Sequence, residues 1–148
     1  MQLSQRPATE SDLPFLLALR QESMGPHLAE AGLHGTIDDF MLRVMHRFDC
    51  AQIVLADGTP VGLLKLLREP GQWHVLQIQL SEGVRGQGLG RRLMEDVMTE
   101  AARAGVPVAL SVLKANPAKQ LYERLGFEVV GEDAHEFHMT NPDPGRRP

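Results

Sequence analysis

Apolar positions recur at two spacings in this chain, every second residue in its middle and every three to four residues in the flanking stretches. Residues 51–56 and 61–67 read as strands joined by the hairpin signal Asp57-Gly58. After a turn at Glu69-Pro70-Gly71-Gln72, residues 74–80 alternate, with Leu76, Ile78 and Leu80 on one face and Gln77 and Gln79 on the other. Residues 106–113 are apolar apart from Ser111 and are expected to be a buried strand. Residues 127–131 and 136–140 read as a last hairpin, and 3–6 as a short first strand.

Helical spacing occupies the intervals. Ser11 is the expected cap of a first helix with Pro14 in its first turn, carrying Phe15, Leu16 and Leu19 inward and ending near Ser23. Met24-Gly25-Pro26 should break it, leaving Glu30 and His34 in a loop. Thr36 with Asp39 resembles a capping box, followed by the stripe Ile37, Phe40, Met41, Val44, Met45 and Phe48. A third helix shows Leu89, Leu93, Val97 and Ala101 flanked by Met94 and Met98, and Gly105 closes it. Asn116 caps a fourth with Pro117 at its first position and Gly126 at its end.

Composition narrows the class. The 148 residues suit one domain over 1–141, with 142–148 a flexible tail that has no apolar residue to bury. A formal charge of -4 supplies no basic field, so neither nucleic acid nor an anionic membrane is an expected partner. Cys50 is the single cysteine, which excludes an internal disulfide and suggests no structural zinc. With no secretory layout near Met1 and no apolar run of about 20 residues, the expected location is cytoplasmic.

The stretch from Val84 to Arg92 carries the candidate chemistry. A strand turning through glycines into a helix presents backbone amides and the positive end of a helix dipole, a site for a diphosphate. Gly-x4-Gly-Lys-Ser/Thr does not occur. GxGxxG fails as well, because the sixth position from Gly86 is Arg91 and from Gly88 is Leu93. Arg85, Gly88 and Gly90 do fit Arg/Gln-x-x-Gly-x-Gly/Ala. Downstream, Ala118-Lys119-Gln120-Leu121-Tyr122-Glu123-Arg124-Leu125-Gly126-Phe127 fits A-x-x-L-Y-E-x-L-G-F. With both motifs in the matching order of elements, residues 2–140 resemble the GNAT N-acetyltransferase superfamily.

The resemblance implies an α/β (α+β) fold: a mixed, mostly antiparallel sheet of six to seven strands, about four helices, and a splayed strand pair forming a CoA cleft. It implies acetyl-CoA as co-substrate and no metal. Main-chain N–H groups of Arg85, Gly86, Gln87, Gly88, Leu89, Gly90 and Arg91 would hold the pyrophosphate, with the side chains of Arg85, Arg91 and Arg92 assisting or simply solvated. The pantetheine arm would lie along the strand carrying Ile78 and Leu80, and the Leu80 amide would polarise the thioester carbonyl. Tyr122 is the expected general acid for the departing thiolate, the alternative being a packing role. Asn116 and Lys119 are candidate CoA contacts beside their plain roles as helix cap and solvated lysine. Glu82 is the expected base, the alternative being an exposed turn acid. Gln77, Gln79, Glu30 and His34 are expected at the acceptor site. The implied partner is a small-molecule or peptide amine, and the implied assembly a monomer or homodimer. A CoA-binding sensor without turnover and a transferase of another acyl group remain open.

Overall fold

The computed structural model describes residues 2–30 and 37–141, with side chains described outside 23–30 and 37. His34, the Thr36 cap and the tail 142–148 therefore lie outside the described residues. Among the described residues seven strands form a mixed sheet in the order β1-β2-β3-β4-β5-β7-β6, accompanied by four α-helices. The chain divides into two compact units, Met1–Leu66 with Gln77–Gln87, and Leu67–Leu76 with Gly88–Pro148.

In the first unit, β1 (Leu3–Pro7) pairs antiparallel with β2 (Ala51–Ala56), from Leu3↔Ala56 to Pro7↔Gln52. β2 turns back into β3 (Thr59–Arg68) through Asp57 and Gly58, whose φ angles of 50° and 83° are those of a tight hairpin matched to strand twist. Helix α1 (Leu13–Glu30) and helix α2 (Ile37–Met45) bury Leu16, Leu19 and Val44 in a cluster with Ala51, Ile53 and Leu63. Phe48, expected at the end of the α2 stripe, instead opens a 3-10 turn, Phe48–Cys50, and Met45 is exposed.

Two expectations change here, and a third point left open is decided. The cap before α1 falls on Thr9 rather than Ser11, because a 3-10 turn, Glu10–Asp12, precedes the helix. The Thr9 N–H donates to Asp12 Oδ2 at 2.8 Å, and Arg6 forks onto both Asp12 oxygens at 2.8 Å. Second, Met24-Gly25-Pro26 does not break α1, which continues to Glu30. Proline removes one i→i−4 bond and costs about 3 kcal/mol, which an 18-residue helix anchored by Leu16 and Leu19 absorbs. Glu30 thus ends a helix instead of lying in a loop. Third, in β4 (Trp73–Leu80) the better-buried residues are Val75 and Gln79, on the face opposite Leu76, Ile78 and Leu80, which are half-buried. The alternation is real, but the polar face is turned in. The backbone approaches closely here: a Cβ at Gly62 would meet the Gln79 carbonyl oxygen at 2.4 Å, so only glycine fits.

In the second unit, β4 pairs in parallel with β5 (Val108–Leu113) over Trp73↔Val108 to Val75↔Leu110. β5 then pairs antiparallel with β7 (Glu136–Asn141), which pairs with β6 (Glu128–Glu132). Helix α3 (Leu89–Ala104) buries Leu89, Leu93, Met94, Val97 and Ala101, the stripe expected from its spacing. Gly105, φ 72°, donates to Ala102 at 3.1 Å and Val106 to Ala101 at 3.0 Å, a Schellman closure. Val106 is spent on that closure, so β5 begins at Val108. Helix α4 (Ala118–Arg124) starts where Asn116 Oδ1 accepts from the Ala118 N–H at 2.9 Å.

Candidate functional site

β4 ends at Leu80, a 3-10 turn covers Glu82–Val84, and α3 opens at Leu89. Between them Gly86 and Gly88 take φ of 80° and 75°, the left-handed region that disfavours residues with a Cβ by about 1–2 kcal/mol. A Cβ at either would meet nothing within 4 Å, so the constraint is the backbone angle and the face above it is open. The first turn of α3 closes with Arg92 N–H donating to the Gly88 carbonyl at 3.1 Å. The amides of residues 89–91 precede that bond and by position have no intrahelical acceptor. Clustered amides at the positive end of a 16-residue helix fit a pyrophosphate.

The side chains of this turn do other work. Leu89 is buried in the helix stripe, and Gly90 is half-buried behind it. Gln87 Nε2 donates to the Gly83 carbonyl at 3.4 Å, and Arg91 Nε lies 3.6 Å from Glu95 one turn on. Arg85 donates through Nε to the Leu80 carbonyl at 3.2 Å and stands 3.8 Å from Glu22. What the turn offers a phosphate is mainly its main chain.

Glu22, on α1, has no signal in the sequence, yet it meets the end of β4. Its Oε1 accepts a short hydrogen bond from the Glu82 N–H. Glu82 itself is exposed, with its side chain at the start of the 3-10 turn. Leu80, Glu82 and Arg85 are thus brought together with an acid from a distant part of the chain.

A second cluster in the first unit is built around buried cations. Lys65 is fully buried, and its Nζ donates to the carbonyls of Arg43 (3.0 Å), Val44 (2.7 Å) and His46 (2.5 Å). Three donors meet three acceptors at the C-terminal end of α2, where helix carbonyls lack partners. Burial pushes the Lys65 pKa down to about 8, with Arg20 and Arg43 adding repulsion. The three carbonyls oppose that shift, since the ammonium has a donor for each of them and the neutral amine has only two. Gln77 Nε2 reaches the Arg43 carbonyl at 3.5 Å. The Oε1 atoms of Gln77 and Gln79 and the Nε of Arg20 are buried and have no hydrogen-bond partner among the described residues. Arg20 lies four residues after Leu16, a cation on an apolar stripe; that spacing was the signal that could have found it.

In the second unit, Tyr122 is buried on α4 and packs edge-on against Phe127, ring centroids 6.0 Å apart. Burial pushes its pKa up to about 12. Lys119 Nζ lies 4.6 Å over the Phe137 ring and 3.6 Å from Glu123, and Asn116 is engaged as the α4 cap. Among the described residues no group of three or more His, Cys, Asp or Glu could hold a metal ion. No described helix is long and apolar enough to cross a membrane.

Comparisons with known proteins give the family and the fold. The model of the acetyltransferase (GNAT) domain matches residues 29–140, and the chain belongs to that family. It is 38% identical over 88 residues to a mycothiol acetyltransferase of Brachybacterium faecium, covering 55% of this chain and 27% of that protein. The match therefore spans only about a quarter of the length of that curated relative. An acetyltransferase of Thermus thermophilus superposes with a TM-score of 0.73 at 24% identity, over 95% of this chain and 96% of that one. The PaiA N-acetyltransferase of Thermoplasma acidophilum, crystallised in complex with coenzyme A, gives 0.71 at 18% identity over 95% and 99%. These likenesses establish the fold.

Proposed function

We propose that residues 1–141 act as one N-acetyltransferase domain that moves an acetyl group from acetyl-CoA to a primary amine by direct attack in a ternary complex. The observation that carries the reading is the turn from Leu80 to Arg92, where left-handed Gly86 and Gly88 lead into the open amides of α3. The family match supports the cargo, as does a structural neighbour that binds coenzyme A. Acetyl-CoA supplies the activated thioester. The main chain of residues 85–91 holds its pyrophosphate, the edge of β4 at Ile78 and Leu80 takes the pantetheine arm, and the Leu80 N–H polarises the thioester carbonyl. Asn116 and Lys119 contact the nucleotide end. Gln77, Gln79, Glu30 and His34 face the acceptor. The acceptor is a small molecule or a peptide, and the enzyme works in the cytoplasm as a monomer or homodimer.

Glu82 takes the proton from the acceptor ammonium, its segment steadied by Glu22 on its backbone N–H. Tyr122 protonates the departing sulfur. A phenol raised to about 12 keeps its proton through the physiological range. Delivery to a thiolate of ordinary pKa is uphill by about 3–4 units, so the transfer accompanies bond cleavage.

Calorimetry with acetyl-CoA and a thiol-release assay over a panel of amines test the reading. Binding with release is expected, and Tyr122→Phe should lower kcat by about 100-fold or more. Binding without release over the whole panel favours a sensor domain. Faster release from another acyl-CoA assigns a different acyl group, and unchanged kcat in Tyr122→Phe removes the acid.

A further inference from the structure

Arg20 is a charge in the wrong place for a purely structural helix. It shares the inward face of α1 with Leu16 and Leu19 and is 5% exposed. Among the described residues no carboxylate pairs with it, and its Nε has no hydrogen-bond partner. Its electrostatic neighbours are cations: Arg43 and Lys65 both repel it. Lys65 has spent its three protons on carbonyls and brings Arg20 no relief. Burying an unpaired guanidinium is strongly unfavourable, whereas an apolar residue at this position would extend the stripe. On β4, Gln77 and Gln79 share a face, each with a buried carbonyl oxygen that lacks a donor, and Gln77 is tied to the same cluster through the Arg43 carbonyl. The unit therefore holds a buried guanidinium whose Nε is unmatched among the described residues, and two unmatched acceptors on one face of β4.

We propose that Arg20 recognises a carboxylate on the acceptor, with Gln77 and Gln79 accepting N–H bonds from the same molecule. The inference rests on the acetyl-transfer reading and deepens it: the acceptors are amines that carry their own carboxylate, of amino-acid or short-peptide type. Guanidinium and carboxylate match as a planar fork, which a lysine at position 20 would reproduce only in charge.

The test compares L-amino acids with their carboxamides in the acetyl-CoA thiol-release assay. The free acids should show kcat/KM at least about tenfold above the amides, carried by KM, since leaving a buried charge unpaired is costly. In Arg20→Gln that ratio should collapse toward one, while Arg20→Lys should restore part of it. Equal kcat/KM for acids and amides in the wild type, or an unchanged ratio in Arg20→Gln, overturns the proposal. Two further readouts do not require turnover. The Arg20 Nε–Hε resonance, assigned by its loss in Arg20→Gln, should move on titration with glycine and stay in place with glycinamide. Equal response to both, or to neither, overturns the assignment even if acetyl transfer is established. Arg20→Met should raise the melting temperature, because it removes an unpaired buried charge; a fall would mean that an acid of this chain already neutralises Arg20. If no amine at all releases thiol, the acetyl-transfer reading fails, and the resonance shift still decides whether Arg20 takes a carboxylate.

Discussion

The two units treat buried polarity differently. In the second, α3 turns Leu89, Leu93, Met94, Val97 and Ala101 inward, and its C-terminal end is closed by Gly105 and backbone groups. In the first, the residues buried beside Leu16, Leu19 and Val44 include Arg20, Lys65 and Gln79. An apolar stripe needs only volume and shape, so any well-packed relative of the same pattern would do. A buried ammonium or amide needs particular partners at particular distances, which makes its surroundings less interchangeable. The buried set of α3 is apolar, whereas that of the first unit mixes apolar side chains with Asp12, Arg20, Lys65 and Gln79.

The sharpest way to break this contrast is to remove one anchor from each side. Lys65→Ala strips three carbonyls at the end of α2 of their donor and leaves a cavity, and should cost about 4 kcal/mol by denaturant unfolding. Lys65→Met, which fills the volume without the donors, should recover only the packing part of that loss. Leu93→Ala, in the apolar stripe, should cost about 3 kcal/mol, and a larger aliphatic replacement should recover most of it. If Lys65→Met is as stable as the wild type, the carbonyl cluster is not the anchor that the distances imply.

Smaller effects should separate the units by pH. Burial raises the Tyr122 pKa from 10.0 to about 12, so the folded state holds its proton more tightly. Stability from this group is complete below pH 10 and is lost as pH rises through 12, about 2–3 kcal/mol in all. Tyr122→Phe should flatten that alkaline limb in melting curves. In the first unit, the Arg6 fork lowers Asp12 from 3.8 to about 2 against the pull of desolvation, with Thr9 helping. Its contribution is complete above pH 4 and is lost as pH falls through 2. That limb should be shallower than the alkaline one, since the Arg6 side chain is 41% exposed and solvent screens the pair. Asp12→Asn should remove it.

The second unit is the legible one, and the reason is local. Gly105 after the last apolar residue of α3, Asn116 before Pro117, and Gly126 after Leu125 each act within a turn of where they stand. The glycine turn was legible for the same reason, since a left-handed angle is a property of one residue. The first unit misleads where the outcome depends on distant partners. Met24-Gly25-Pro26 looks like a break, but the penalty of one proline is small beside the burial that holds the rest of α1. The alternation of β4 leaves open which face is buried, and the structure buries Gln79 while Leu76, Ile78 and Leu80 stay half-buried.

From its sequence alone this protein is determined as a GNAT acetyltransferase-type α/β chain, because the glycine turn before α3 and the helix carrying Tyr122 are each written in contiguous residues. Only the tertiary structure decided which charges are buried. Arg20 and Lys65 are buried, and Glu22 meets the Glu82 N–H from 60 positions away, which no spacing along the chain specifies.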